Sequence, residues 1–190
     1  MVNVDDAADI AEVRGGNTAA FGKLVLKYQD RLLNAVVYIS GSRDEAEDVV
    51  QDAFVQAYTK LNSFGGNSGF YTWLYRIAIN AAISRKRKRK GATSLEARYD
   101  EQGLEPLDSL EGAEARVLRE ERAGQVQTAL AALSAEHRTI LVLREMEDCD
   151  YDQIAEILDV PVGTVRSRLH RARLQMKEQL EIVFREHASD

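Results

Sequence analysis

Apolar residues recur at three- and four-residue steps along most of this chain, and almost nothing interrupts them. Phe21, Leu24, Val25, Tyr28, Leu32 and Val36 form one such stripe, the pattern of a long helix with a single buried face. Gly41 ends it. Ser42 with Glu45 carries the signature of a capping box and opens a second helix running to about Leu61 on Val49, Val50, Ala53, Phe54, Ala57 and Tyr58. The segment NSFGGNSG, 62 to 69, reads as a loop from its glycines and asparagines. A third helix follows, from about Phe70 to Lys88, with Trp73, Leu74, Ile77 and Ala81 inward. Only two prolines occur in 190 residues, and Ala, Leu, Arg and Glu are the commonest residues. The fold class is all-α.

From Gly91 to about Gly112 the period lapses into glycines, one proline and many acids, which reads as a flexible linker. The expected organisation is two small helical domains, 1–90 and 113–190, joined by the linker 91–112. In the second, Val117, Leu118, Val126, Leu130 and Leu133 share a helix, and Ser134 can cap the next, holding Ile140, Leu141 and Leu143. DYDQIAEILDV, PVG and TVRSRLHRARLQMKEQLEIVFRE then follow. Asp150 is a good N-cap, and Pro161 stands where a helix must have stopped.

A short helix, a turn containing glycine and a longer basic helix make a helix-turn-helix. At about 100° per residue, Val165, Leu169, Ala172 and Met176 fall on one side. Arg166, Ser167, His170 and Arg171 fall on the other, while Arg168 and Arg173 flank the seam. Residues 160 to 177 hold five cations and no acid. Such a helix fits the major groove, where arginine reads guanine through two hydrogen bonds. The bland alternative is a solvated basic face.

That cationic helix belongs to a chain of net charge −6. Basic residues also gather at RKRKRK, 85 to 90, and acids at DEAED, 44 to 48, so separate faces suit separate partners. The single cysteine, Cys149, excludes an internal disulfide framework, and no Cys/His pair has zinc spacing. The first residues lack the make-up of a signal peptide, and no apolar run reaches the length of a membrane span. A soluble, cytoplasmic protein without membrane insertion is expected. The three histidines are scattered and no phosphate loop appears. No catalytic residue, metal, cofactor or small-molecule substrate is therefore expected, and the chain reads as a non-enzyme.

Asp48, Gln51 and Asp52 stand three and four residues apart, so one helix face offers acceptors suited to a partner's arginines. Phe64, Phe70, Tyr71, Trp73 and Tyr75 crowd beside the glycine-rich loop and ahead of the basic run. Aromatics next to cations are what single-stranded DNA needs. Trp73 shares phase with Leu74 and Ile77 and reads as core. Tyr71 and Tyr75 lie nearer the exposed side and stay open.

IAEILDVPVGTVRSRLHRAR resembles the C-terminal DNA-binding domain of bacterial sigma factors of the extracytoplasmic-function group. AFGKLVLKYQDRLLN, DEAEDVVQDAFVQAYTKLNSF and FYTWLYRIAINAAISRKRKR resemble that group's other domain, in the same order. The resemblance covers about Ala20 to Leu180 apart from the linker. It implies a promoter-specificity subunit that binds core RNA polymerase and recognises the −35 element as duplex and the −10 element as single strand, with an anti-sigma factor as a further partner. Residue by residue, it implies Thr164, Arg166, Ser167, Arg168, His170, Arg171 and Arg173 at the upstream element. Ser63, Phe64, Gly65, Tyr75, Arg76 and Asn80 fall at the downstream element, with Arg76 and the run from Arg85 to Lys90 on phosphates. Asp48, Gln51, Asp52 and Phe54 fall at the polymerase. The alternative is a helix-turn-helix regulator that dimerises on a palindrome without polymerase, which leaves the aromatic loop and the DVVQDAF helix idle.

Overall fold

The computed structural model describes residues 4–92 and 113–187, all of whose regular elements are helical. The expected linker lies, from residue 93 onward, outside the described residues. The N-terminal half comprises α1 (Val4–Arg14), α2 (Ala19–Ser40), α3 (Arg43–Lys60), a 3-10 turn (Leu61–Ser63) and α4 (Phe70–Ala92). The C-terminal half comprises α5 (Ala113–Ala132), α6 (Ala135–Leu141), a π turn (Val142–Met146), α7 (Tyr151–Leu158) and α8 (Val162–His187).

Local chemistry sets most of these boundaries. Gly41 closes α2 in the left-handed region, its φ of 83° letting its N–H reach the Val37 carbonyl. Ser42 Oγ accepts from the Glu45 N–H at 3.4 Å, and Ser134 Oγ from His137 N–H at 3.3 Å. Asp150 and Gln153 complete a full capping box, each side chain bonded to the other's backbone N–H at 2.8 Å. Buried Leu24, Leu32, Val36, Phe70, Leu74 and Ile79 join α2 to α4, while Ile140, Leu143, Ile154, Ile157, Val165 and Leu169 fill the second half. Each such side chain contributes about 1.5–3 kcal/mol by leaving water.

The stripes gave no hint of α1. It lies on α2 through Ile10 and through Asp6, a carboxylate only 2% exposed. Tyr28 Oη donates to Asp6 Oδ2 and Lys27 Nζ to Oδ1, both at 2.6 Å. Burial and that carboxylate push the Tyr28 hydroxyl up to about 12. At its other end, Arg14 donates to the carbonyls of Leu61 (2.9 Å) and Phe64 (2.5 Å), tying α1 to the loop before α4.

The helix expected through Leu143 instead widens at Val142. Glu147 N–H closes the π turn on the Val142 carbonyl at 3.0 Å, and Asp148 follows in the left-handed region with φ 52°. Arg138, 2% exposed, sits where helix ends converge. It donates to the carbonyls of Leu130, Ala131 and Leu133 at the end of α5 and to Ile39 at the end of α2. A cation is favoured there because the last carbonyls of a helix lack partners and carry partial negative charge.

Candidate nucleic-acid and polymerase interfaces

α7 stops because Asp159 turns left-handed, with φ 53°. Three residues later α8 begins, and its phase is the expected one. Val165, Leu169 and Ala172 are buried and Met176 packs beside them, while Arg166, Ser167, His170 and Arg171 are exposed. Thr164 is half-buried in the first turn, its carbonyl accepting from Ser167 Oγ at 3.1 Å. The flanking arginines differ from this row. Arg168 lies 3.6 Å from Glu136, and Arg173 forms a fork on Glu145 Oε1 at 2.9 and 2.7 Å. Among the described residues no carboxylate lies within ion-pair distance of Arg166 or Arg171. Arg171 Nε donates to the Ser167 carbonyl at 3.3 Å, and both guanidinium groups face solvent.

The second face is built from the loop and α4. Ser63 and Gly65 are exposed, and Ser63 Oγ donates to the Lys60 carbonyl at 2.7 Å. Gly66 takes φ 71°, which only a residue without Cβ adopts at no cost. Phe64, expected as a stacking face, is 6% exposed. Its ring meets Phe70 edge-on at 5.9 Å and lies tilted against Trp73 at 5.1 Å, so it holds the loop from beneath. Trp73 is half-buried rather than fully core. Arg76 and Asn80 are exposed. Seven residues separate Trp73 from Asn80, which puts them on one face of α4 about 10 Å apart along its axis. Asn80 therefore lies about two turns beyond the ring that packs on Phe64.

Tyr75, expected nearer the exposed side, is fully buried. Its ring meets Tyr71 at 5.0 Å, and burial, with Tyr71, Glu147 and Cys149 around it, holds its hydroxyl well above the usual range. Burial likewise pushes the Cys149 thiol up to about 11, far from a reactive thiolate.

The acidic face of α3 meets the far end of α4. Asp48, Gln51 and Asp52 are exposed, but Phe54 is not on that face. It is 8% exposed and meets Phe21 edge-on at 6.4 Å in the core. Both carboxylates already hold an arginine: Arg85 reaches Asp48 Oδ2 at 3.1 Å and Asp52 Oδ2 at 2.5 Å. The side chains of residues 86–90 lie outside the described residues. Sequence reasoning passed over an apolar groove beside α8, lined by Leu141, Met176, Leu180 and Phe184, with Glu145 and Lys177 at its rim. Among the described residues no group of His, Cys, Asp and Glu is arranged to hold a metal, and no helix is long and apolar enough to cross a membrane.

A helical protein with a helix-turn-helix in its C-terminal half, whose second helix carries an exposed basic row, has the make-up of a DNA-binding protein. Residues 24–92 match the family described as sigma-70 region 2, and residues 123–176 match sigma-70 region 4. The chain is 41% identical to the RNA polymerase sigma-H factor of Pseudomonas aeruginosa, covering 98% of this chain and 99% of the relative. It is 36% identical to the ECF RNA polymerase sigma factor SigW of Bacillus subtilis, covering 90% and 94%. Among solved structures it is similar to CnrH in complex with the cytosolic domain of CnrY, at 25% identity and a TM-score of 0.67, covering 94% and 98%. The sigma factor RpoE in complex with the anti-sigma factor NepR from Bartonella quintana gives 26% and 0.67, covering 85% and 97%. The chain belongs to the sigma-70 family, in its extracytoplasmic-function group. It is a sigma factor that directs transcription initiation.

Proposed function

We propose that this sigma factor brings core RNA polymerase to promoters by dividing recognition between its halves. α8 enters the major groove of the −35 element. Arg166 and Arg171 read base edges, Ser167, His170 and Thr164 make base or backbone contacts, and Arg168 and Arg173 hold phosphates. The loop with Ser63, Phe64 and Gly65, together with Arg76 and Asn80 on α4, receives unpaired bases of the −10 element. The observation that carries the reading is the row Arg166–Ser167–His170–Arg171, exposed and free of carboxylates over a buried seam. The protein works in the cytoplasm, carries out no chemistry of its own and is held in check by an anti-sigma partner.

Run-off transcription with core polymerase on a promoter library tests this directly. The expected result is a small set of selected promoters and a complex of one chain per polymerase. A polymerase-independent dimer on a palindrome would replace the reading with that of a free-standing regulator.

The acidic face of α3 is the proposed polymerase dock. Asp48 and Asp52 already close on the Arg85 guanidinium, so the pair suits a partner's arginine, which would displace Arg85. Exposed ion pairs are worth only about 0–1 kcal/mol, and the exchange costs little. Phe54 supports this face from the core. Replacing Asp48 and Gln51 together with alanine is expected to weaken assembly with core polymerase. The melting curve should hardly change, because exposed positions away from special features shift stability by about 0.5 kcal/mol or less. Undiminished pull-down of polymerase by the folded double variant would remove the docking assignment.

A further inference from the structure

The last turn of α1 reaches the short turn that precedes the loop and α4. Arg14 stands there, and one nitrogen, Nη2, donates to two carbonyls, Leu61 at 2.9 Å and Phe64 at 2.5 Å. Arg14 is exposed, whereas Leu61 is 2% and Phe64 6% exposed. Packing therefore fixes the two side chains, and the guanidinium adds the direction of their carbonyls. It reaches them from a firmly held helix. Asp6 accepts from Tyr28 and Lys27 at 2.6 Å, and Asp9 from Lys23 at 3.0 Å. Just past Arg14, the N–H groups of Gly15, Gly16 and Asn17 close back on the carbonyls of Ala11, Val13 and Glu12.

The peptide after Phe64 carries the consequence. In a trans peptide the C=O and N–H point in opposite directions, and no cis bond occurs among the described residues. With the Phe64 carbonyl turned onto Arg14, the Gly65 N–H points away from α1. Gly65 is exposed, and its N–H has no backbone acceptor among the described residues. Without the arginine this peptide plane turns easily. The rotation takes place about ψ of Phe64 and φ of Gly65, and a residue without Cβ accepts either sense of φ.

We propose that Arg14 is a positioning residue for the −10 element: it sets the Phe64–Gly65 peptide so that the Gly65 N–H is presented to an acceptor atom of one unpaired base. This role rests on the reading of the loop as the receiver of the −10 element. Arg14 itself touches no DNA. Extruded bases are read through hydrogen bonds to their edges, and a donor fixed beforehand needs no ordering when the base arrives. α1 thus acts on promoter choice from outside the reading surface.

The test uses holoenzyme made from the full chain with Arg14→Ala, Arg14→Lys and Asp9→Asn. Pre-melted promoters that differ at one −10 position at a time compete for each. Arg14→Ala should lower the preference for the favoured base at one position about five- to tenfold, the scale of one hydrogen bond. Assembly with polymerase and choice at the −35 element should stay as in the wild type. Arg14→Lys should restore most of the preference, because one ammonium nitrogen carries three donors and can serve both carbonyls as Nη2 does. Asp9→Asn weakens the pairing of α1 with Lys23 without touching the loop, and should rank the templates as the wild type does. Amide hydrogen exchange of the free chain reads the loop itself. The Phe64 N–H, bonded to the Leu61 carbonyl at 3.1 Å, should exchange faster in Arg14→Ala while the amides of α4 do not change.

An unchanged template ranking in Arg14→Ala would overturn the role. So would an equal weakening of all templates, which with a salt slope lowered by about one marks a phosphate contact instead. The same loss of preference in Asp9→Asn would also overturn it, because a general loosening of α1 would then suffice. A wild type with no base preference on these templates would overturn the reading of the loop, and the role of Arg14 with it.

Discussion

Arg138→Ala is expected to destabilise the protein by about 3 kcal/mol or more, the range associated with breaking a buried polar network. One guanidinium serves four carbonyls: Leu130 at 2.8 Å, Ala131 at 2.6 Å, Leu133 at 3.2 Å and Ile39 at 3.1 Å. Its removal takes a donor from each of these acceptors in a site from which water is excluded, and although Leu130 keeps the Leu133 N–H at 3.1 Å, each group left unpaired costs about 1–3 kcal/mol. Partial entry of water into the space left behind keeps the total below the simple sum. For a half of this size the loss corresponds to a fall in melting temperature on the order of 15 °C. Lysine at this position should recover little, because a point-like ammonium cannot span four acceptors as a planar fork does. Methionine restores the volume without the donors. A thermal melt of Arg138→Met matching the wild type would show that the four bonds contribute nothing net and that only packing matters there.

Arg138 also shows where sequence reading stops. In AEHRTIL it looks like any helical arginine, and Ser134 correctly marks where its helix begins. Its burial comes in part from α2, whose Ile39 carbonyl arrives from a position 99 residues earlier. Features set by short-range periodicity were legible: the apolar stripes, the caps at Gly41, Ser42 and Asp150, and the phase of α8. Features set by one element lying on another were not. α1 has only Val4, Ile10 and Val13 as large apolar residues, and it is held by Asp6, which accepts from Tyr28 and Lys27. Phe64 reads as a free ring beside glycines, yet Phe70 and Trp73 enclose it. Tyr75 sits on a side of α4 that helical phase alone leaves nearer solvent, and its surroundings include Glu147 and Cys149 of the other half. Glu147 offered no signal, because it is one of four acids between Glu145 and Asp150, and acids before a cap ordinarily lie in water.

Replacing Arg166 and Arg171 should have the largest effect on promoter choice. Both are exposed, and their backbone is fixed by the buried seam of Val165, Leu169 and Ala172, so truncation to alanine leaves the helix in place. Each bidentate contact to a base is worth about 1–3 kcal/mol of discrimination, roughly 5- to 150-fold. Each single variant should lose selectivity at its own base pair of the −35 element while assembling normally with core polymerase. Losses in the double variant should add if the two arginines read separate base pairs, and fall short of the sum if they share one. Arg173→Ala is the contrast. Its guanidinium rests on Glu145 in the free protein and turns to phosphate on DNA, so the variant should weaken every promoter alike. It should also reduce the salt dependence of binding by about one unit of slope. The measurement is holoenzyme affinity for promoters differing at single −35 positions, repeated at several salt concentrations. If Arg166→Ala and Arg171→Ala also weaken all sequences equally and lower the slope, α8 is a general clamp on the backbone, and the −35 element is read by something other than this row.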